Sequence, residues 1–371
     1  MKTAIIHYWL INMRGGEKVL NALLQLLPHA DVFTLFHDPE KIPAAINRRV
    51  VKTSYLQPLR KHHRKLLPLM PMALESFDLS EYDLVISSES GPAKGVIVKS
   101  SARHVCYCHT PMRYLWELYP EYRNRPTLPG WQRALMDPLS HYLRMWDYAS
   151  AARVDEFIAN SDNVRRRIHR AYRRDASVIH PPVEVETFWN EVPEDYHLVV
   201  SELVPYKRVD AAVRVFAQRG QRLKIVGDGP EYKRLRAMAS ANIEFCGRVA
   251  ESDLRRLYAK CIALVMPGEE DFGITAVEAL ASGKPVVALG RGGACETVPE
   301  ESPFGGILYD DASDAGLLSA VDEIESCYQD VQPHALQRWA KRFSKAEFMR
   351  RMSDFLALRR SSREERFQLR R

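Results

Sequence analysis

Two glutamates eight positions apart frame the segment of the chain best suited to chemistry. Glu270 and Glu278 lie in the sequence PGEEDFGITAVE, residues 267–278, which follows a short apolar run. The pattern predicts a helix that opens within this segment and ends at about Ser282. If most of the span is helical, its rise is about 12 Å, close to the distance between a sugar and the ribose of its nucleotide. A carboxylate at each end could accept hydrogen bonds from hydroxyl groups.

The start of this helix is the second chemical feature of the segment. Its first turn would present unpaired backbone N–H groups and the positive end of the helix dipole, which favour an anion such as a diphosphate. The residues of this turn are Phe272, Gly273, Ile274 and Thr275. A plainer interpretation is that Glu270 is a solvated residue favoured by the dipole and that Glu278 lies on an exposed face. The glutamate pair alone does not decide between the two.

The elements that must position these residues alternate along almost the whole chain. Short apolar runs are followed by longer stretches with helical periodicity, and this alternation predicts an α/β protein with doubly wound parallel sheets. The predicted strands are Thr3–Trp9, Asp31–Phe36, Asp83–Ser88, His104–His109, Glu156–Ser161, His197–Glu202, Arg222–Gly227, Ile243–Gly247, Ala263–Pro267 and Pro285–Leu289.

A proline-rich, polar break separates the first five predicted strands from the last five. It contains IHPPV at 179–183 and EVPED at 191–195, a composition typical of a linker. We predict Rossmann-like domains at 1–180 and 196–340, joined by a linker at 181–195. A C-terminal helix with a basic tail, 341–371, is expected to pack back on the first domain. Because ligands bind at the carboxyl ends of the strands in such sheets, two facing domains would enclose a cleft.

The segment around Glu270 and Glu278 closely resembles the signature of glycosyltransferase family 4. The similarity continues through EALASGKPVV at 278–287, and the resemblance covers the chain roughly from Ala4 to Phe348. It implies the GT-B fold, in which two Rossmann-like domains face an interdomain cleft, the first binding the acceptor and the second a nucleotide-sugar donor. It also implies a retaining transfer without a metal ion, and the sequence contains no Asp-x-Asp motif.

By this resemblance, several loop residues belong to the donor site. The sequence GGACE at 292–296 looks like the family's glycine pair followed by a glutamate, here Glu296. Gly15 and Gly16, after the first predicted strand, resemble the glycine-rich loop whose backbone amides approach the donor phosphate. Asp228 lies in a Gly-Asp-Gly turn that matches the family, although such turns are common in many folds.

The family usually carries an arginine and a lysine after the first strand of the donor domain. Lys207 occupies the lysine position, where the resemblance implies that it neutralises charge developing on the leaving diphosphate, as a metal ion does in other enzymes. The arginine position is held by Glu202, which departs from the family. Arg208, next to Lys207, is the candidate for the second cation.

A second motif, HTPMRYLW at 109–116, follows the strand predicted to end at His109. It is similar to the His-Thr-Pro segment of a family 4 subgroup rich in mannosyltransferases that act on lipid-linked glycans. The resemblance implies that His109 hydrogen-bonds the donor sugar. Arg113, Tyr114 and Trp116 are expected to shape an acceptor platform through stacking and charge. The predicted catalytic set is Glu270, Lys207, His109 and Arg208.

The net charge is +6, and its distribution indicates a possible partner. The basic segment RKHHRK at 60–65 stands directly before the apolar segment 66–74. Basic residues beside apolar ones can hold a protein on an anionic membrane surface, although a solvated basic face is the alternative, and the one favoured for the tail 359–371. No RNP, zinc-finger or helix-turn-helix pattern occurs, so nucleic-acid binding is not expected.

Other features of the sequence bear on location and cofactors. The six cysteines are scattered, no apolar run reaches about 18 residues, and the first residues lack the pattern of a signal peptide. These features predict a cytoplasmic protein, and the basic segment beside apolar residues predicts that it is peripheral at the inner face of the cytoplasmic membrane. No histidine and cysteine set has zinc spacing, so neither a metal nor a cofactor is expected.

Three functional interpretations remain open. The first is a retaining transferase that moves a hexose, best matched by mannose from GDP-mannose, onto a lipid-linked or cell-surface glycan in polysaccharide or O-antigen-type biosynthesis. A UDP-sugar donor is an alternative within this interpretation. The second is a sugar-nucleotide epimerase with the GT-B fold. The third is a sugar-nucleotide-binding protein with weak catalysis, which Glu202 keeps open.

Overall fold

The computed structural model describes residues 1–125, 129–301 and 304–368, and the side chains of the last helix as far as residue 357. The described chain forms two compact units. The first holds Met1–His180 and the residues from Arg351 onward, and the second holds Pro181–Arg350. The side chains of the predicted basic tail, 359–371, lie outside the described part.

Within the described residues, the first unit is built on a seven-stranded parallel sheet. Its strands are β1 (Thr3–His7), β2 (Asp31–Thr34), β3 (Val50–Thr53), β4 (Leu84–Glu89), β5 (Arg103–Cys108), β6 (Glu156–Ala159) and β7 (Ala176–Val178). They lie side by side in the order β3-β2-β1-β4-β5-β6-β7. The central strands β1 and β4 are buried along their whole length, as expected where helices cover both faces of a parallel sheet.

The helices described in this unit connect consecutive strands. They are α1 (Gly15–Leu26), α2 (Ala44–Asn47), α3 (Met70–Glu75), α4 (Tyr119–Arg123), α5 (Gly130–Ala151) and α6 (Asp162–Tyr172), with 3-10 segments at Pro39–Lys41, Gln57–Leu69 and Ala93–Gly95. α1 begins directly after Arg14 because the Glu17 carboxylate accepts a 2.9 Å hydrogen bond from the Arg14 backbone N–H, which closes the first turn. The glycine-rich loop is thereby fixed beside the end of β1.

The second unit repeats this architecture with a six-stranded parallel sheet among its described residues. Its strands are β8 (His197–Val200), β9 (Leu223–Val226), β10 (Ile243–Gly247), β11 (Leu264–Met266), β12 (Val286–Leu289) and β13 (Gly306–Tyr309). They lie in the order β10-β9-β8-β11-β12-β13. One apolar cluster packs on each face of this sheet, so the strands are enclosed between two layers of helices.

The described helices of the second unit follow the same alternation. They are α7 (Val209–Arg219), α8 (Tyr232–Met238), α9 (Glu251–Lys260), α10 (Ile274–Ala281), α11 (Ala294–Thr297), α12 (Asp314–Ser326), α13 (Pro333–Ala340) and the start of α14 (Lys345–Gln368), with 3-10 segments at Val185–Thr187, Pro205–Lys207, Tyr328–Asp330 and Lys341–Phe343. None of the helices described in the chain is long and apolar enough to cross a membrane.

The predicted fold class is confirmed, since both sheets are parallel and both alternate with helices. All ten predicted strands are present, and their ends differ from the prediction by at most two residues. The sequence patterns miss β3, β7 and β13. Each of these is an edge strand, and each is partly exposed. An edge strand lacks the continuous apolar run that marks a strand covered on both faces.

Candidate active site

In the second unit, three loops meet at the carboxyl edge of the sheet. Strands β8, β11 and β12 are neighbours and run parallel, so the loops that follow them share this edge. A Cβ atom at Gly268 would lie 2.6 Å from the carbonyl oxygen of Lys207. A Cβ atom at Gly293 would lie 2.3 Å from the Cα of Phe272. Only glycine permits these approaches, and the tight backbone packing fixes the side chains that the loops carry.

Lys207 and Glu270 form an ion pair at this edge. The two side chains are only 16% and 20% exposed. Burial lowers the pKa of Lys207, but attraction to the Glu270 carboxylate outweighs it, so the pKa lies above its usual value and the amine is charged. The backbone carbonyl of Glu270 accepts a 2.8 Å hydrogen bond from the Gly293 amide. The structure thus brings together two residues that the sequence predicts as catalytic.

The helix that carries Glu278 begins within the predicted first turn, residues 272–275, and ends at Ala281. Gly273 has a left-handed backbone, with a φ of +91°, and α10 begins after it at Ile274. Residues 270–273 lie before the helix, so the condition for a rise of about 12 Å, a mostly helical 270–278 span, is met only by residues 274–278. The physical reason is the glycine, which reverses the chain at φ > 0 and leaves Glu270 in the loop.

The side chains around the start of α10 belong mostly to the core. The ring of Phe272 packs edge-on against Phe343, with ring centroids 5.5 Å apart. The hydroxyl of Thr275 lies 3.7 Å from the sulfur of Met266. What residues 272–275 offer to an anion is therefore their backbone N–H groups rather than their side chains.

Glu278 is held by a tyrosine that the sequence patterns do not single out. The Glu278 side chain is 5% exposed, and one of its carboxylate oxygens accepts a 3.0 Å hydrogen bond from the hydroxyl of Tyr258 on α9. Burial, followed by the charge of Glu278, raises the pKa of Tyr258 well above its usual value, so the hydroxyl remains a donor. In sequence, Tyr258 looks like any aromatic residue on the apolar face of a helix.

Two other predicted donor-site residues lie at turns of the same unit. Asp228 is exposed, accepts a 2.8 Å hydrogen bond from the Gly229 amide and lies 3.7 Å from the Arg248 guanidinium. Glu296 lies on the short helix α11. In the part of the chain that the structure describes, no group of three or more His, Cys, Asp or Glu side chains is arranged to hold a metal ion.

Glu202 and Arg208 lie in the loop that follows β8. The turn after β9 packs on this loop so tightly that a Cβ at Gly227 would lie 1.8 Å from the Ser201 carbonyl oxygen. Arg208 has a left-handed backbone, with a φ of +52°, and precedes α7. Burial raises the pKa of Tyr309, at the end of β13, to about 12, and the charge of Arg208 opposes this rise.

In the first unit, the glycine-rich loop and the histidine loop lie together. Gly15 and Gly16 begin α1. A Cβ at Gly16 would lie 3.4 Å from the Tyr8 hydroxyl and 3.5 Å from His109 Nε2. The same Nε2 lies 3.1 Å from Ser88 Oγ. Two motifs that the sequence places far apart therefore form one polar surface.

His7 and Ser88 are buried behind this surface, and the sequence patterns do not single them out. His7 Nδ1 lies 3.3 Å from Ser88 Oγ, and His7 Nε2 lies 3.4 Å from Glu17 Oε1. Burial favours the neutral form of Glu17, but hydrogen bonds from His7 and the Arg14 backbone outweigh it and lower the pKa of Glu17. The available signal was a polar residue at the carboxyl end of an apolar strand, His7 on β1 and Ser88 on β4.

The three residues of the predicted acceptor platform are partly buried. The indole N–H of Trp116 donates a 2.8 Å hydrogen bond to Asp147, which is fully buried. The Arg113 guanidinium lies 3.9 Å from the Glu117 carboxylate. Burial raises the pKa of Tyr114 well above its usual value. Trp116 is therefore anchored in the core of the first unit. Arg113 and Tyr114 lie in the same loop.

Two family models together match most of the chain. The model described as Glycosyltransferase Family 4 matches residues 13–187. The model described as Glycosyl transferases group 1 matches residues 189–343. The first match covers the loops of Gly16 and His109, and the second covers those of Lys207, Glu270 and Glu296.

Curated proteins match over part of the chain. An uncharacterized glycosyltransferase of Methanocaldococcus jannaschii is 32% identical over 149 residues, 39% of this chain and 42% of that protein. A GDP-mannose-dependent alpha-mannosyltransferase of Mycobacterium tuberculosis is 34% identical over 145 residues, 38% of this chain and 35% of that protein. A GDP-mannose-dependent monoacylated alpha-(1-6)-phosphatidylinositol monomannoside mannosyltransferase of Corynebacterium glutamicum is 30% identical over 199 residues, 45% and 51% respectively. The chain thus spans about half or less of the length of these relatives.

Solved structures match over nearly the whole chain. The Anabaena protein HepE, in complex with UDP and glucose, has a TM-score of 0.69 at 18% identity, covering 96% of this chain and 99% of that one. The sucrose-phosphate synthase of Thermosynechococcus elongatus has a TM-score of 0.72 at 16% identity, covering 98% and 100%. At these identities the likeness establishes the fold.

Proposed function

Since the chain belongs to glycosyltransferase family 4 and has the GT-B fold, we propose that it transfers a hexose from a nucleotide sugar to a glycan with retention at the anomeric carbon. Mannose from GDP-mannose is the proposed donor, supported by the mycobacterial and corynebacterial relatives. The observation that carries the proposal is the Lys207–Glu270 ion pair beside the start of α10.

In the proposed reaction, this ion pair changes partners when the donor binds. Lys207 moves to the diphosphate, and Glu270 accepts hydrogen bonds from the sugar hydroxyls. The bond from the anomeric carbon to the diphosphate oxygen breaks, the acceptor hydroxyl bonds to the same face, and its proton leaves with the diphosphate. The charge of Lys207 and the amides at the start of α10 offset the developing negative charge, so the transfer proceeds without a metal ion.

The two glutamates then have different tasks. Glu278 is proposed to accept hydrogen bonds from the ribose, since the Tyr258 hydroxyl already holds its carboxylate in one orientation. The contact of Glu278 with the ribose would be made equally before and during the reaction, so it contributes to donor affinity. Glu270 acts where charge develops during the reaction, so it contributes to turnover.

A transfer assay tests this function. The purified protein is incubated with radiolabelled GDP-mannose or UDP-glucose, with polyprenyl-linked glycolipids as acceptors, and with EDTA in one arm. We expect label to move from GDP-mannose to the lipid fraction at the same rate with and without EDTA. Transfer from UDP-glucose but not from GDP-mannose would show that the donor is a UDP-sugar. A free epimer would indicate an epimerase, and nucleotide binding without turnover would indicate a binding protein.

A pair of lysine variants makes the assay specific to the proposed site. Lys207→Ala removes the amine that pairs with Glu270 and should abolish most transfer. Lys260→Ala removes a surface amine that lies 2.8 Å from Glu194 and should transfer like the unmodified protein. Equal activity of the two variants would reject the proposed role of the ion pair.

We also propose that the first unit binds an anionic membrane surface, where a lipid-linked acceptor resides. The 3-10 segment Gln57–Leu69 and the adjoining α3 expose both basic and apolar side chains. The exposed basic residues are Lys61, Arg64 and Lys65, and the exposed apolar ones are Leu59, Leu69 and Met72. Met70 and Leu74 are buried in the core, so fewer apolar residues of the 66–74 segment reach the surface than the sequence suggests.

Helix α5 adds aromatic surface next to this segment. Its exposed large side chains are Trp131, Leu135, Tyr142, Met145 and Tyr148, and the first four recur at a spacing that places them on one face of the helix. Leu143 of α5 and Leu67 share one apolar cluster, and Trp146 donates a 3.0 Å hydrogen bond to Glu75 of α3. Tryptophan and tyrosine favour the membrane–water interface, which supports this surface as the contact.

Liposome sedimentation tests the membrane contact with a matched pair of variants. Replacing Arg60, Lys61, Arg64 and Lys65 with serine should weaken binding to phosphatidylglycerol vesicles, since each basic residue near the surface contributes about 1 kcal/mol. The control variant replaces four arginines with serine on another part of the first unit: Arg165, Arg166 and Arg170 of α6 and Arg173 at its C-cap. It loses the same charge, and its binding should be unchanged. Equal sedimentation of both variants would contradict the proposal.

A further inference from the structure

Four side chains of the first unit are linked in series between α1 and the loop after β5. Glu17 Oε1 lies 3.4 Å from His7 Nε2. His7 Nδ1 lies 3.3 Å from Ser88 Oγ, which in turn lies 3.1 Å from His109 Nε2. Glu17, His7 and Ser88 are at most 2% exposed, so water does not compete for these hydrogen bonds. At the far end, the Arg14 backbone N–H donates a 2.9 Å hydrogen bond to Glu17 Oε2.

We propose that Glu17, His7 and Ser88 form a hydrogen-bond relay that determines which ring nitrogen of His109 carries the hydrogen. The relay thereby decides whether Nδ1 of His109 accepts a hydrogen bond from the donor sugar or donates one to it. This inference rests on the proposed function and on the role that the family resemblance implies for His109, a hydrogen bond to the donor sugar. Glu17, His7 and Ser88 act through His109 and are positioning residues.

The direction of each hydrogen bond follows from the one before it. Burial favours the neutral form of Glu17, but its interactions with His7 and its hydrogen bonds with backbone N–H groups together lower its pKa, and an ionised carboxylate can only accept. His7 Nε2 therefore carries a hydrogen, and in the proposed relay the other ring nitrogen, Nδ1, accepts a hydrogen bond from the Ser88 hydroxyl. The Ser88 oxygen then accepts from Nε2–H of His109. Because a neutral imidazole carries one hydrogen, Nδ1 of His109 is an acceptor.

This tautomer has a consequence for a sugar ligand. An acceptor nitrogen can orient a sugar hydroxyl by taking its hydrogen, and it leaves the hydroxyl oxygen to receive other donors. The opposite tautomer presents an N–H group at the same place and requires the hydroxyl to turn around. A relay that fixes the tautomer therefore fixes the orientation of one hydroxyl before the sugar binds, which is preorganisation.

Glu17→Gln reverses the relay, because an amide has one oxygen and one nitrogen. The Arg14 backbone N–H can only donate, so the amide oxygen faces it and the amide nitrogen faces His7. That nitrogen donates to His7 Nε2, and the ring hydrogen of His7 moves to Nδ1. His7 then donates to Ser88, Ser88 donates to His109 Nε2, and the hydrogen of His109 moves to Nδ1. The shape of the side chain is unchanged, so only the hydrogen positions differ.

NMR of protein labelled with 13C and 15N histidine reads the tautomer directly. The ring 13Cδ2 and 15N shifts distinguish the two tautomers, and a His109→Gln spectrum identifies the His109 signals. We expect Nε2–H in the unmodified protein and Nδ1–H in Glu17→Gln. An unchanged His109 tautomer in the folded variant would overturn the relay. Because the readout needs no turnover, a reversed tautomer in a protein that transfers no sugar would keep the relay and reject the proposed function.

Kinetics provide a second, independent measurement. Glu17→Gln and Ser88→Ala should each lower kcat about ten- to hundredfold, as expected for one misdirected hydrogen bond to the reacting sugar. The donor KM should change less than about threefold, because His109 itself remains in place. The double variant should be no slower than the slower single variant, since both break the same series. Additive losses would overturn the relay.

A neighbouring serine supplies the control, and it keeps the test decisive if Glu17→Gln fails to fold. Ser87 Oγ lies 3.0 Å from His104 Nε2, and Ser87 is as fully buried as Ser88 on the same strand. Ser87→Ala therefore removes an equivalent serine–histidine hydrogen bond from the other face of β4 and should retain kcat. Equal losses in Ser87→Ala and Ser88→Ala would show a structural effect of buried serines and would also overturn the relay.

Discussion

The two units repeat one strand order but form their functional edges in different ways. Counted from the first strand of each unit, both sheets begin third, second, first, fourth, fifth, sixth. In the first unit the edge consists of polar side chains joined by hydrogen bonds, the buried His7 and Ser88 and the partly buried His109. In the second unit it consists of backbone segments so close that only glycine fits, at Gly268 and Gly293, together with one ion pair.

The difference extends to the charges behind each edge. The first unit encloses Lys94, Asp147 and Glu89, each at most 1% exposed, whereas the Lys207–Glu270 pair of the second unit is partly accessible. A buried charged cluster can hold a loop in one conformation but cannot exchange partners with a ligand. An accessible ion pair can. We infer that the first unit orients its ligand through fixed side chains and that the second responds to ligand charge.

The largest loss of activity is expected at the second-unit edge, which carries the Lys207–Glu270 ion pair. Lys207→Ala removes the amine that is proposed to meet the charge of the leaving diphosphate, and one such donor contributes about 3–4 kcal/mol to the barrier. We expect kcat to fall by about two to three decades while the melting temperature changes little. Steady-state kinetics with saturating donor measure this. A loss below about threefold would mean that the ion pair is not part of the reaction.

The buried cluster of the first unit predicts a pH dependence of stability. Burial raises the pKa of Glu89 from 4.5 to about 7, although Lys94 opposes the rise. Between these two pH values the folded state holds a proton that the unfolded state has released. The free energy of unfolding therefore falls as pH rises through this window, by up to about 3 kcal/mol, and Glu89→Gln should remove that slope.

Hydrogen exchange of the β4 amides at pH 5 and pH 7.5 reports this slope for the first unit alone. Glu81→Gln is the matched control, because the Glu81 side chain is 73% exposed and pairs with Lys2 at the surface. It should leave the slope unchanged. If the free energy of unfolding changes with pH equally in the unmodified protein and in Glu89→Gln, then Glu89 does not hold the proton.

A pair of glycine variants separates the two kinds of edge. Gly293→Ala forces a Cβ to within 2.3 Å of Phe272 backbone atoms, and overpacking of this kind costs about 1–3 kcal/mol. We expect a lower melting temperature and weaker donor binding together. At Gly16 the nearest atoms to a new Cβ are 3.4 Å away, so Gly16→Ala should keep its melting temperature and lose activity only. Equal melting temperatures of the two variants would contradict the comparison.

The same comparison explains which parts of the site the sequence reveals. Most of the second-unit edge can be predicted because residues 267–296 form one local block in which glycines, Glu270, Glu278 and Glu296 follow each other along the chain, whereas Lys207 is assigned from the family resemblance. The first-unit edge is spread over β1, β4 and β5. His7 and Ser88 look like single polar residues in apolar strands, and nothing in the spacing shows that they share a hydrogen bond.

The errors of the sequence analysis have local physical causes. The sequence predicts the start of α10 within residues 272–275, but the left-handed conformation of Gly273, which keeps Glu270 out of the helix, cannot be inferred from its identity. The edge strands β3, β7 and β13 were missed because partial exposure interrupts their apolar pattern. The orientation of Glu278 by Tyr258 depends on the packing of α9 against α10, which no local pattern encodes.

The smallest expected effect is a change in donor affinity at Glu202, which occupies the position where the family carries a cation. Its loop is fixed by the turn after β9, where a Cβ at Gly229 would lie 2.4 Å from the Leu203 carbonyl oxygen. In our interpretation Arg208 does not replace the missing cation, because it directly follows Lys207 and has a left-handed backbone, so we expect its side chain to be directed differently from that of Lys207.

We therefore expect Glu202→Arg to improve the donor site. A carboxylate near a diphosphate is unfavourable, and exchanging it for a guanidinium replaces repulsion by attraction at a position that remains partly solvated. The expected gain is about tenfold in donor affinity, roughly 1.4 kcal/mol, with a smaller rise in kcat. Calorimetric titration with the nucleotide sugar measures it, and Glu202→Gln should give about half of the gain in free energy. If Glu202→Arg is neutral and Arg208→Ala is as damaging as Lys207→Ala, then Arg208 is the second cation and Glu202 points away from the phosphates.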